Sequence, residues 1–156
     1  MELNIMYAEK YDELEAQEML GEVNLALSGD IEDHVVLKTS GVISAVGKLV
    51  YESNHRFHLE VFGVRNDQRG SGWGRGLLTN LTAMPHKHCR SYYEDQLEGL
   101  YTITTVAKGE SAGFYGRYGF SPISFSDLSD MYIEQCNHCP DRNTCQPVPL
   151  IFLGTI

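Results

Sequence analysis

The chain has 156 residues, a net charge of −9, and 42% hydrophobic against 21% charged residues. That length suits one domain burying about two-thirds of its unfolded surface. The acidic balance argues against nucleic acid as a partner, which calls for a basic face, and leans toward cationic small molecules or lysine-rich segments. No apolar run approaches the ~20 residues of a membrane span, and the first ten residues lack a basic region followed by an apolar core, so a cytoplasmic protein is expected.

In chain order, Tyr11 to Leu20 reads as a short amphipathic helix, with Leu14, Ala16, Met19 and Leu20 among acids. The acids of Glu9 to Glu22 and Asp30 to Asp33 suit a solvated face or a substrate funnel. His34 to Lys38 and Ile43 to Tyr51 are β-branched-rich runs separated by Thr39-Ser40-Gly41, a hairpin signal. Phe57 to Val64 is a third strand, in which Gly63 marks a bulge or a close backbone approach. Trp73 to Met84 has helical spacing at Leu77, Leu78, Leu81 and Met84, with Pro85 as its stop. Leu100 to Val106 is a strand, Glu110 to Tyr118 a helix closed by Gly119, and Met131 to Gln135 and Leu150 to Leu153 are read as final strands. The order is that of an α/β protein with a mixed sheet, strands being both hairpin-linked and crossed over by helices. No repeat or linker divides residues 1–156, and the one unusual stretch is a cysteine-rich connector at 136–145.

The segment Val64 to Leu78 runs from a strand through a basic glycine-rich turn into a helix. Such a turn offers bare backbone N–H groups at a helix N-terminus, where the dipole favours an anion, and Arg69 adds a forked cation. The dinucleotide spacing fails: counted from Gly70 the third glycine falls on Arg75, and from Gly72 on Leu77. The triphosphate-loop pattern fails as well, since no Gly-Lys-Ser/Thr is present.

What remains, Arg69-x-x-Gly72-x-Gly74, resembles the acetyl-CoA pyrophosphate loop of the GNAT superfamily of N-acyltransferases. The segment Ser111 to Phe120, with Phe114-Tyr115 and Gly119-Phe120, is similar to the family's second diagnostic helix. The resemblance covers Phe57 to Phe120. It implies the GNAT fold, a central mixed sheet splayed between two parallel strands, here Phe57–Val64 and Leu100–Val106, and flanked by helices. It implies acetyl-CoA held along Phe62, Gly63 and Val64, with its pyrophosphate on Arg69, Gly70, Ser71, Gly72, Trp73 and Gly74. It further implies an acetyl carbonyl polarised by a backbone N–H near Phe62, and Tyr115 as the acid that protonates the leaving thiolate. One position departs from the family: Lys108 stands where an asparagine often lies.

A lysine-like amine, with a pKa near ~10.4, needs a base before it can attack. His58 and Glu60 lie two apart and so share a strand face. Both are candidates, with the near-neutral imidazole the better matched chemically. Each also has a purely structural reading as a hydrogen-bonded group. The acceptor is a small-molecule amine, a protein lysine or an N-terminus. A different class of function, a non-catalytic acyl-CoA-binding or zinc-organised interaction module, stays open beside the enzyme.

Cys136, Cys139 and Cys145 form a C-x-x-C followed by a third cysteine. Three thiolates at that spacing suit zinc, with a fourth ligand from His138, Cys89 or His88, pinning a connection between the last two strands. Reduced thiols or a disulfide are the other readings.

Overall fold

A computed structural model describes residues 3–66, 70–94 and 96–156. Seven strands and five helices are described: β1 (Asn4–Tyr7), α1 (Glu13–Glu22), β2 (Val35–Thr39), β3 (Val42–Ser53), β4 (Arg56–Val64), α2 (Trp73–Ala83), β5 (Leu100–Ala107), α3 (Ala112–Gly116), β6 (Phe120–Pro122), α4 (Asp130–Asn137), α5 (Arg142–Cys145) and β7 (Val148–Thr155). The strands form one mixed sheet in the order β1-β2-β3-β4-β5-β7-β6.

The hairpin at Thr39-Ser40-Gly41 forms as the turn residues require. Ser40 and Gly41 both take positive φ, 51° and 79°, the geometry of a two-residue turn whose twist matches the strands. β4 and β5 run parallel, and parallel neighbours need a crossover, which α2 supplies. Leu77, Leu78 and Leu81 are fully buried on the face of α2 that meets the sheet, with Phe57, Leu59, Tyr101 and Ile103 in the same cluster. On the other sheet face, Ala16, Met19 and Leu20 of α1 pack with Val36, Ile43, Val46 and Val61. Leu14, read as part of that apolar face, is 67% exposed.

The segment Met131–Gln135 is the clear correction. It is part of helix α4, not a strand. Within it Tyr132 is buried and Cys136, four residues on, half-buried, a spacing that a helix turns to one side. β1 and β6, which no pattern announced, are edge-region strands of four and three residues, too short to show alternation. The helix expected over Glu110 to Tyr118 begins with a 3-10 turn at Gly109–Ser111 and its α-helical part is five residues long; Gly119 then takes φ 98°.

Among the described residues no helix is long and apolar enough to cross a membrane.

Candidate active site

The sheet opens at its centre. β4 and β5 pair only from Arg56↔Thr102 to Leu59↔Thr105. Beyond that point β4 continues to Val64 on β3, and β5 continues to Ala107 on β7, leaving a gap between their C-terminal ends. The cause lies in β4. Lys48 pairs with Val61 and Leu49 with Leu59, so Glu60 is an extra residue, a β-bulge. The bond from Thr102 N–H to His55 C=O sets the odd-numbered residues of early β4 facing β5. The bond from Arg65 N–H to Ser44 C=O sets odd residues facing β3 after the bulge. By alternation, the backbone groups of Phe62 and Val64 therefore turn toward the gap, with no β5 partner.

The N-terminus of α2 stands at the end of β4. Gly72, its N-cap, has φ 86°, a conformation that favours glycine. The first intrahelical bond is Gly76 N–H to Gly72 C=O, so the amides of Trp73, Gly74 and Arg75 have no partner within the helix. Gly74 allows this approach: a Cβ there would stand 2.8 Å from Val64 Cγ2 and 3.5 Å from Phe114 Cζ. Among the described residues a Cβ on Gly70 or Gly72 would meet nothing within 4 Å. Trp73 packs on the core. Among the described residues the turn thus has the room and the unpaired helix-end amides that a pyrophosphate needs. Arg69, expected to add a cation, lies outside the described residues, as do Asp67 and Gln68. Gly63 marks the close approach anticipated for it, since a Cβ would stand 2.6 Å from Leu20 Cδ2.

Tyr115 lies on this same face. Its ring meets Phe62, Phe114 and Phe120 edge-on, with centroids 5.9, 5.6 and 5.5 Å away. Burial raises its pKa far above the usual phenol range, so the hydroxyl stays protonated and keeps a proton to donate. Lys108 ties the end of β5 to the loop after α1, donating to the carbonyls of Val23 (2.9 Å) and Asn24 (3.1 Å).

On the opposite face the structure brings His58 and Glu60 together, as their spacing requires. His58 is 3% exposed, and its Nδ1 lies 2.7 Å from Thr104 Oγ1. The Thr104 hydroxyl also faces the Phe57 carbonyl, 3.5 Å away; with that bond made, Nδ1 carries the proton and Nε2 keeps its lone pair. Burial lowers the His58 pKa to about 4, so the ring is neutral at pH 7. Glu60 is fully engaged. Ser28 Oγ and Lys48 Nζ both reach Oε1 at 3.0 Å, and Tyr132 donates to Oε2 at 2.7 Å. Burial alone would raise its pKa, but the hydrogen bonds from Tyr132 and Lys48 outweigh it and hold the carboxyl below its ordinary value.

Sequence reasoning missed Ser28, Lys48, Thr104 and Tyr132. Only Tyr132 left a trace, in its four-residue spacing to Cys136. The cysteines do not form the expected metal site. Among the described residues no group of three or more His, Cys, Asp or Glu side chains is placed to hold a metal. Cys136 sits on α4 and Cys145 on α5, Cys139 is exposed, and all three are free thiols. Of the fourth ligands considered, His138 is exposed and paired with Glu134, while Cys89 is buried against the Leu49 carbonyl. The stretch 136–145 is a helical connector, not a zinc-pinned hairpin end.

No protein-family model and no curated protein matches the chain. Solved structures do match in shape. N-acetylglutamate synthase from Neisseria gonorrhoeae, solved with coenzyme A and N-acetyl-glutamate, aligns at TM-score 0.75 and 13% identity over 98% of this chain. This chain spans only 35% of that protein's length. Ard1 from Thermoplasma volcanium aligns at TM-score 0.67 and 14% identity, covering 100% of this chain and 99% of that one. The ribosomal-protein-S18-alanine N-acetyltransferase from Escherichia coli aligns at TM-score 0.63 and 16% identity, covering 99% and 94%. These likenesses concern shape, and by them the chain has the GNAT acetyltransferase fold.

Proposed function

We propose that the chain is an N-acyltransferase that moves an acetyl group from acetyl-CoA to an amine by direct attack. The observation that carries this reading is the gap itself: the backbone groups of Phe62 and Val64 turn into it, and the free amides of α2 lie at its mouth. An extended acyl carrier fits there as an added strand along Phe62, Gly63 and Val64, with its pyrophosphate over Gly70, Ser71, Gly72, Trp73 and Gly74 and, in the family's manner, Arg69. Three solved proteins of the same fold bear the names of N-acetyltransferases or are complexed with coenzyme A.

In this reading the donor occupies the α2/α3 side and the amine arrives from the α1/α4 side. The amine nitrogen attacks the thioester carbonyl carbon, whose developing oxyanion is met by a backbone N–H near Phe62. The C–S bond then breaks, and Tyr115 gives its proton to the thiolate sulfur. The nitrogen's proton passes to Nε2 of His58, directly or through water. Glu60, with both oxygens occupied and an ammonium beside it, is the weaker choice of base. The acceptor class is a small-molecule amine, a protein lysine or an N-terminus, consistent with the net charge of −9.

Tyr115→Phe tests the assignment. Calorimetric binding of acetyl-CoA is expected to stay within about threefold while amine-dependent thiol release falls by about 10²-fold or more, the usual range for a lost general acid. Equal loss of both would place Tyr115 in packing rather than in proton transfer.

A further inference from the structure

Two ionisable groups side by side on one strand face pose a question of assignment: each could serve as the base, and something must keep them apart. The third party in contact with both is Tyr132, which is 4% exposed. Its ring lies on His58, centroids 3.6 Å apart and planes 15° from parallel, while its hydroxyl donates to Glu60 Oε2 at 2.7 Å. One side chain from α4 thus closes over a pair carried by β4.

We propose that Tyr132 is a positioning residue that divides the work between these two groups: its hydroxyl occupies the Glu60 carboxylate and its ring covers one face of His58, so that His58 is left to take the proton. The purpose of that division rests on the acyltransferase reading; the contacts do not. Glu60 has two oxygens and three donors. Ser28 and Lys48 share one oxygen, and without Tyr132 the other would be free to accept a proton. His58 meets the Thr104 hydroxyl of β5 at Nδ1 and Tyr132 across its ring. The charged groups near it are Arg56 and Glu60 on its own strand and, on the same face of β3, Lys48 and Glu52. Lys48 is neutralised by Glu60, and Glu52 takes the hydroxyl of Ser129 at the head of α4. The stacked phenol ring covers one face of His58 and leaves the ring edge with Nε2 to the reaction.

α4 itself is fixed at its start. Ser129 bonds the Glu52 carboxylate, and the guanidinium of Arg56 donates to the Asp127 carbonyl just before it. The tyrosine is presented by a short helix clamped to the β3–β4 hairpin, so its position is set independently of any ligand.

The test is an NMR titration of the full-length chain, following the His58 ring and the Glu60 carboxyl, in native protein, Tyr132→Phe and Tyr132→Leu. In native protein His58 is expected to titrate near about 4. Tyr132→Phe keeps the ring and removes the donor, so the Glu60 midpoint should rise while His58 stays in place. Tyr132→Leu removes both, and the His58 midpoint should climb toward 6.5 by about one unit. The acidic limb of the kcat/KM profile should follow His58 in the second variant and stay fixed in the first. Variants that fold and lose only thermal stability, with both titrations unmoved, would overturn the proposal. If Tyr132→Leu fails to fold, Tyr132→Phe decides alone: an unmoved Glu60 titration overturns it. If no amine is turned over by native protein but the titrations move as stated, the activity reading fails and the role of Tyr132 stands.

Discussion

The two faces of the opened sheet are assembled from different kinds of sequence. On the α2/α3 face, the parts at the gap come from two short runs, Phe62 to Gly76 and Phe114 to Phe120, each a local motif with its own turn and helix-end chemistry. On the α1/α4 face they come one residue at a time: Ser28, Lys48, His58, Glu60, Thr104 and Tyr132, joined by hydrogen bonds and an ion pair that span 12 to 72 positions. The first face is an opening of glycines and free amides, ready for a ligand. The second is a closed polar network in which nearly every group already has a partner. A donor that never varies suits a face written in local motifs. In the acyltransferase reading the second face receives the acceptor, and α4 is the connector laid over it.

The comparison can be broken most severely at Lys48. Lys48→Met leaves the half-buried Glu60 carboxylate without its cation, and removing one member of a fully buried pair costs about 3–5 kcal/mol, an upper bound here. Urea unfolding should show that loss, and a change under about 1 kcal/mol would mean that the acceptor-side network is not held together by charge. Next comes His58→Gln, expected to lower kcat/KM by about 10²-fold while acetyl-CoA binding is unchanged, because the proposed mechanism puts the base on the face away from the donor. A matching loss of donor affinity would contradict the division between faces.

On the donor side, Gly74→Val places carbon against Val64 and Phe114. Overpacking of this kind costs about 1–3 kcal/mol, and acetyl-CoA should bind about tenfold more weakly by calorimetry, with the His58 titration undisturbed.

A smaller effect follows from pH. Burial holds both His58 and His34 below the ordinary imidazole value of 6.5; His34 is fully buried, its Nδ1 on the Asp30 carbonyl and its Nε2 accepting from Ser28 N–H. Below that value the unfolded chain binds more protons than the folded one, so this stability is complete above pH 6.5 and is lost as pH falls toward about 4. Glu60 has the same sign, but its contribution is present above 4.5 and lost below, so the window between those two values reports the histidines. Unfolding free energy should drop by about 1–2 kcal/mol between pH 7 and pH 5, and His58→Gln should flatten the slope. The smallest effect is expected in the connector, where replacing Cys136, Cys139 and Cys145 with serine should cost about 0.5 kcal/mol or less, and a chelator should leave Tm unmoved.

What could be read from sequence follows the same division. The glycine spacing around Gly72 and the Phe114-Tyr115 helix are short-range patterns, and the elements they imply form where expected. The parallel pairing of Phe57–Val64 with Leu100–Val106 also holds, as does the shared face of His58 and Glu60. The bulge at Glu60 was invisible, because it depends on how β3 pairs with β4 rather than on β4 alone. The run Met131 to Gln135 is ambiguous because its apolar residues suit either period, and Tyr132, buried while Met131 is exposed, is the residue that α4 turns toward the sheet. The cysteine spacing suggested a knuckle, yet ligand spacing is necessary and not sufficient. The three thiols are spread over two short helices and their link without converging.

The central claim is that the gap between β4 and β5 delivers an acetyl group to an amine. The direct measurement is free-thiol release from acetyl-CoA by the native chain, with product mass recorded, over a panel of small amines, lysine peptides and free N-termini. The account predicts release that requires an amine and matches acetylated product one for one. Binding of acetyl-CoA with no amine-dependent release across the panel would contradict it and mark the chain as a carrier-binding protein.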